Sequence, residues 1–275
     1  MIDTVSARRG DAYVERDRRL AYLEAPRALA ELASLVPAAP YLSLAPRGDG
    51  HPVLVLPGLG GTDLSTGVMR RYLAGQGFTA AGWSLGRNLG PGTRDLEQRL
   101  AERLEALWQQ SGRRKVSLVG WSLGGVYARL LAHWYPNRVR QVVTLGSPIG
   151  GRPRPSRAYR VMQRLSAGGM DREQAMRLRV LASDPLPGIP GSAVYSRTDG
   201  VVPWQIARQN PSPLADNIEV YGSHLGLGFN PSSLYLLAER LAQPEGRWRP
   251  FERRGWKRWV YGPAEAAGSE SRSEA

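Results

Sequence analysis

The feature that most restricts the fold is a run with no polar side chain, Pro52-Val53-Leu54-Val55-Leu56, entered from Gly50 and left into Pro57-Gly58-Leu59-Gly60-Gly61. A strand with one wet face alternates apolar and polar residues. A short continuous apolar run between turn residues marks a strand buried on both faces, as in parallel sheets covered by helices on both sides. Similar runs near 78–83, 116–120, 141–145, 193–196 and 218–221 predict five more strands. Helical patterns fill most of the intervals. They run from Asp95 to Gln110, with Leu96, Leu100, Leu104 and Leu107 on one face, from Gly124 to Trp134, and from Ser232 to Leu241. This alternation predicts an α/β fold with a mostly parallel, doubly wound sheet of about six strands.

Three segments depart from the repeat. Residues 12–36 carry Leu20, Leu23, Leu29, Leu32 and Val36 at helix-like spacings interrupted by Pro26, so residues 1–50 are expected to form a leading helical arm. Between Pro148 and Pro190 no strand is apparent, and two short helices are expected at Arg157–Leu165 and Asp171–Leu181, making a small helical cap insertion over about 149–190 of an α/β domain that spans 51–245. Met162, Met170 and Met176 lie in that window, either lining an adaptable apolar pocket or filling gaps under the short helices. Residues 246–275 form a basic, aromatic segment, Arg247 to Trp259, followed by a tail whose composition predicts disorder.

Composition removes several function classes. The 275 residues include no Cys and three His, which excludes disulfide frameworks, thiol nucleophiles and iron–sulfur clusters and leaves little for a multi-histidine metal site; no cofactor is expected. The net charge of +13 suggests nucleic acid, but Lys115 and Lys257 are the sole lysines among 37 basic residues and the arginines are scattered along the chain, so no nucleic-acid partner is expected. No apolar run approaches the roughly 20 residues of a membrane span, and the first twenty residues have no apolar stretch of signal-peptide length. The expectation is a soluble, cytoplasmic protein.

The chemistry rests on a pattern that occurs twice, Gly82-Trp83-Ser84-Leu85-Gly86 and Gly120-Trp121-Ser122-Leu123-Gly124. Gly-x-Ser-x-Gly on a strand-to-helix turn exposes a serine above a sheet, with helix N–H groups beside it. Val116 to Val119 supply a strand before Ser122, and Gly124, Gly125, Val126, Leu130 and Leu131 continue as a helix. After Ser84, Arg87-Asn88-Leu89-Gly90-Pro91-Gly92 cannot propagate one, so Ser84 is expected in a loop and Ser122 is the candidate nucleophile. Sites in open α/β sheets lie at the carboxyl ends of the strands. His51 precedes its strand and His133 lies far down the helix after Ser122, so both are expected to be structural. His224 follows the strand at 218–221 and Asp199 follows the strand at 193–196, which makes them the candidate base and its orienting acid; Asp184 and Asp216 fall before their nearest strands.

In order, Pro57-Gly58-Leu59-Gly60-Gly61, Gly120-Trp121-Ser122-Leu123-Gly124-Gly125, Ser196-Arg197-Thr198-Asp199-Gly200-Val201-Val202 and Gly222-Ser223-His224-Leu225-Gly226 resemble the α/β-hydrolase superfamily, within it most the bacterial lipases and esterases. The resemblance covers about residues 50–243. It implies a Ser122–Asp199–His224 triad and an oxyanion hole from the backbone N–H groups of Leu59 and Leu123. Pro57 stands where the first loop of those enzymes usually has His, which leaves open what braces that loop. A dinucleotide-loop reading of Gly58-Leu59-Gly60 lacks its third glycine. The superfamily core has up to eight strands; with only about 50 helical residues before the first strand here, the first two are expected to be absent.

The implied activity is cleavage of a small-molecule or lipid carboxylic ester through an acyl-enzyme intermediate. The same triad serves acyltransferases, thioesterases and amidases, which sequence does not separate from an esterase. A third reading is a basic membrane-surface or nucleic-acid-binding protein on a hydrolase scaffold without catalysis. The six basic and four aromatic residues of 247–259 suit transient contact with anionic lipid; alternatively, those aromatics pack back on the domain. Oligomeric state is left open.

Overall fold

The computed structural model describes residues 19–150 and 172–263. Six strands form one sheet: β1 (Pro52–Leu56), β2 (Thr79–Gly82), β3 (Val116–Trp121), β4 (Val139–Leu145), β5 (Gly191–Tyr195) and β6 (Ala215–Glu219). Their order is β2-β1-β3-β4-β5-β6, and every pairing between them is parallel. The helices among the described residues include α1 (Glu24–Ala33), α2 (Ala39–Ser43), α3 (Gly67–Gly75), α4 (Leu96–Gln110), α5 (Leu123–Trp134), α6 (Arg172–Ser183), α7 (Pro231–Leu241) and α8 (Lys257–Val260).

Successive residues of a strand point to opposite faces, so a wholly apolar strand feeds two cores. Val53 and Val55 of β1 join Met69 and Leu73 of α3, Leu42 of α2 and Leu234, Leu237 and Leu241 of α7 on one side of the sheet. Leu54 and Leu56 join Leu100, Leu104 and Leu107 of α4 and Leu130 and Leu131 of α5 on the other. The central strands β1, β3, β4 and β5 are buried along their whole length. This rigid frame brings the carboxyl ends of β3, β5 and β6 to one rim.

The departures from expectation have local causes. Strand β6 begins at Ala215 and not near 218, because Asp216 and Asn217, whose polarity hides the strand, have partners there. Asp216 is inside the strand, paired with Arg240 at 3.1 Å and accepting the Phe251 N–H at 2.7 Å, while Asn217 accepts the Gln209 N–H. Of the expected cap, helix Arg157–Leu165, Met162 and Met170 lie outside the described residues; the second expected helix corresponds to α6, where Met176 is exposed. The expected tail and residues 1–18 of the arm also lie outside them. In the C-terminal segment, Tyr261 is buried and bridges Val220, and Trp256 packs edge-on against Tyr41 and Tyr235, whereas Trp259 is 77% exposed.

Candidate active site

Strand β3 runs straight into α5 through Ser122, whose φ of 53° and ψ of −122° are strained for a residue with a side chain. Such strain costs on the order of 1–3 kcal/mol and persists only where packing enforces it. Here glycines make the packing possible. A Cβ on Gly120 would lie 2.3 Å from Gly125 Cα, and one on Gly124 would lie 2.2 Å from the Leu56 carbonyl oxygen. The turn is therefore held against β1, with the Ser122 N–H donating to Leu145 O at 2.8 Å.

The loops after β5 and β6 bring the other two residues to the same point. His224 Nε2 lies 3.0 Å from Ser122 Oγ, and His224 Nδ1 lies 2.7 Å from Asp199 Oδ2. The second oxygen of Asp199 accepts the N–H groups of Val201 (2.8 Å) and Val202 (2.7 Å), which fixes the carboxylate and leaves Oδ2 for the imidazole. Trp121 Nε1 donates to the His224 carbonyl at 3.1 Å and holds the histidine loop from below. All three residues are buried. Burial disfavours the imidazolium, but the charge and hydrogen bond of Asp199, with the charge of Glu24, prevail and hold the His224 pKa above its ordinary value.

Leu123 is the first residue of α5, so its N–H precedes the helix's own acceptors. The loop carrying Leu59 lies against the serine: a Cβ on Gly58 would come within 3.1 Å of Ser122 Cβ. The neighbouring N–H groups of that loop are occupied, Gly60 with Asn88 O at 2.7 Å and Gly61 with Gly58 O at 3.0 Å. Asn88, absent from the sequence-based candidates, is the brace that Pro57 left open. Its Nδ2 donates to Pro57 O at 2.9 Å, its N–H to Gly61 O at 2.8 Å, and its Oδ1 accepts from Gly90 N–H at 3.0 Å and the Tyr127 hydroxyl at 3.3 Å. An Asn within a Gly- and Pro-rich loop carries no sequence signal for that role.

The other serines and histidines lie elsewhere. Ser84 is an exposed loop residue with φ 59°, its N–H and that of Trp83 capped by the Asp63 carboxylate. His133 is half-buried near the end of α5. His51 forms a second chain of the same residue types, with Nδ1 2.5 Å from Asp49 Oδ1 and Nε2 2.8 Å from Ser117 Oγ. It sits at the amino ends of β1 and β3, away from Ser122. Ser117 and His51 are 0% and 1% exposed, so no carbonyl can reach that serine. Burial lowers the His51 pKa to about 4 despite the Asp49 hydrogen bond, and Asp49 in turn binds Arg140 at 2.9 Å. Among the described residues no His, Cys, Asp or Glu cluster could hold a metal, and no helix is long and apolar enough to cross a membrane.

Known proteins show the same architecture. A family model described as alpha/beta hydrolase fold matches residues 51–199. A search of curated proteins gives no match. Among solved structures, one from work on two metagenome-derived lipolytic enzymes, LipS and LipT, superposes with a TM-score of 0.52 at 17% identity, covering 72% of this chain and 94% of that one. An alpha/beta hydrolase from the metagenome of sediments of the lagoon of Mar Chica, Morocco, gives 0.50 at 22% identity over 70% and 90% of the two chains. At these identities the likeness is one of fold.

Proposed function

This chain belongs to the alpha/beta hydrolase fold family, and from that premise we propose that it is a serine hydrolase that cleaves carboxylic esters through an acyl-enzyme on Ser122. The observation that carries the reading is the unbroken hydrogen-bond path from Asp199 through His224 to Ser122 Oγ, on a strained strand-to-helix turn at the carboxyl ends of the strands.

In this mechanism Ser122 Oγ attacks the ester carbonyl carbon while His224 Nε2 takes its proton, and the developing oxyanion accepts the N–H groups of Leu59 and Leu123. The tetrahedral intermediate collapses, and the imidazolium returns the proton to the departing alcohol. Water then attacks acyl-Ser122 with His224 again as base, releasing the acid and restoring the hydroxyl. Asp199 holds the Nδ1 proton and so keeps Nε2 free to accept. No cofactor or metal enters any step. The substrate is a small-molecule or lipid ester. Transient contact with anionic lipid is supported by exposed Trp259, with the Arg258 guanidinium 5.2 Å from its ring centre, and by exposed Arg247, Arg249 and Arg254 in the same segment.

The test is hydrolysis of p-nitrophenyl esters from two to sixteen carbons by the wild type and by Ser122→Ala. Serine-dependent turnover supports the reading, and the chain length at its maximum separates an esterase from a lipase. A Ser122→Ala protein with near-wild-type turnover would remove it.

A further inference from the structure

The expected leading arm has a role that its sequence did not disclose. Helix α1 is amphipathic in an unusual sense. Leu29 and Leu32 are exposed, whereas the charged residues Glu24, Arg27 and Glu31, spaced three and four apart on one face, turn into the protein. Each meets a loop carrying a residue of the catalytic path. Glu24 is 3% exposed; its Oε1 accepts the Gly200 N–H and its Oε2 the Leu225 N–H, both at 2.8 Å. Those are the residues immediately after Asp199 and His224. Arg27 donates to the carbonyl and the hydroxyl of Thr198, both at 2.7 Å, and Glu31 accepts the Ser223 N–H at 2.7 Å and Asn230 Nδ2 at 3.0 Å.

The glycines flanking the two catalytic residues acquire a reason from this contact. A Cβ on Gly200 would lie 2.5 Å from the Leu20 carbonyl carbon, and one on Gly226 would lie 2.0 Å from Glu31 Oε2. Gly200 thus packs directly on the backbone of the arm, and Gly226 on the Glu31 carboxylate.

We infer that Glu24 is a positioning residue for the catalytic path: one buried carboxylate from the N-terminal arm ties the Asp199 loop to the His224 loop and fixes the distance between acid and base. The inference rests on the Ser122–His224–Asp199 reading of the site. A loop end is usually free to move, and a base displaced by an ångström loses much of its advantage. A single acceptor on each loop separately would order each one but not their separation. One carboxylate accepting from both sets that separation directly, and its charge favours the imidazolium formed during attack.

The test uses a fluorophosphonate, which reacts with an activated serine and needs no knowledge of the substrate. Its second-order rate of labelling is followed from pH 5 to 9 in the full-length wild type, Glu24→Gln, Glu24→Ala, Glu24→Asp, Leu29→Ser and Ser122→Ala, with circular dichroism giving the folded fraction of each. The groups that face His224 are Asp199 and Ser122 from the sheet rim and Glu24 from α1, while Glu31 and Arg27 bind the adjoining backbone. Replacing Glu24 by Gln removes the charge and one of two acceptors. The labelling rate per folded molecule should then fall by about tenfold, and the acidic limb should move to lower pH as the imidazolium loses a favourable charge. Asp should restore the limb with part of the rate, and Leu29→Ser, on the outward face, should label as the wild type. Glu24 variants with wild-type rate and limb, or with a loss that tracks the unfolded fraction alone, overturn the inference. Absence of labelling in the wild type, or labelling that persists in Ser122→Ala, overturns instead the reading on which it rests.

Discussion

In the proposed mechanism the loop carrying Leu59 supplies an oxyanion donor, and replacing Asn88 by alanine separates the brace of that loop from the Ser122–His224–Asp199 path. The change deletes the Nδ2 bond to Pro57 O and the two bonds accepted by Oδ1 from Gly90 and Tyr127, in a site 1% exposed. At about 1 kcal/mol net for each bond, the fold should lose about 3 kcal/mol. The backbone of residue 88 still accepts from Gly60 and donates to Gly61, so the loop keeps two of its ties. Loss of a whole oxyanion donor costs about 10²- to 10³-fold in kcat. A donor loosened but not removed should cost less, about 10- to 30-fold. Because the oxyanion exists only in the transition state, KM should stay within about threefold. The assay is p-nitrophenyl butyrate kinetics beside a urea melt. Asn88→Asp sharpens it: the acceptor for Gly90 and Tyr127 survives, but a carboxylate faces the Pro57 carbonyl, so activity should fall more than in Asn88→Ala for a comparable stability. A melt that drops with kcat unchanged within about twofold, or a rise in KM alone, would refute the idea that the brace sets the Leu59 N–H.

Other outcomes follow from the same geometry. Ser84→Ala should retain activity within about twofold while Ser122→Ala loses several orders of magnitude, since only one copy of Gly-Trp-Ser-Leu-Gly stands on an elbow; ester turnover of the two variants side by side checks this. Gly124→Ala should destabilise the protein by about 3 kcal/mol or more, because the new methyl meets the Leu56 backbone and not a movable side chain; its melting temperature reads the effect. His51 is held neutral, so its folded pKa near 4 is below its unfolded value of about 6.5. The unfolded chain then binds the extra proton between those values, and stability present above about pH 6.5 is lost as pH falls towards 4, by roughly 2–3 kcal/mol. Urea midpoints from pH 7.5 to 4.5 should fall more steeply in the wild type than in His51→Asn; equal slopes would contradict it. Trp259→Ala with Arg258→Ala should reduce sedimentation with vesicles containing anionic lipid and leave neutral vesicles unaffected; equal sedimentation with the wild type would remove the lipid contact.

The parts of this fold written in contiguous residues were legible from the chain. Strand β1 announces itself because burial on both faces leaves no polar residue in Val53 to Leu56, and the elbow because Gly120, Gly124 and Gly125 can be nothing larger. The meeting of Asp199 and His224 with Ser122 at one rim follows from a topological rule, that the carboxyl ends of parallel strands and the loops after them gather there. What stayed hidden depends on long-range partners. Glu24 meets loops 176 and 201 residues away, Asn88 acts through a loop with no periodicity, and the start of β6 is masked by Asp216 and Asn217, whose polarity is satisfied only once Arg240, Phe251 and Gln209 are in place. The contact between His51, just before β1, and Ser117 of β3 spans 66 positions, and nothing local to either residue predicts it.

The central claim is that Ser122 is the nucleophile of an ester-cleaving enzyme, and peptide-level mass spectrometry after fluorophosphonate treatment tests it most directly. The account predicts a single phosphonyl adduct on the peptide containing Ser122, lost in His224→Ala although Ser122 remains, and p-nitrophenyl ester turnover that disappears in proportion to labelling. An adduct on Ser84 or another serine, or full ester turnover by the labelled protein, would contradict it.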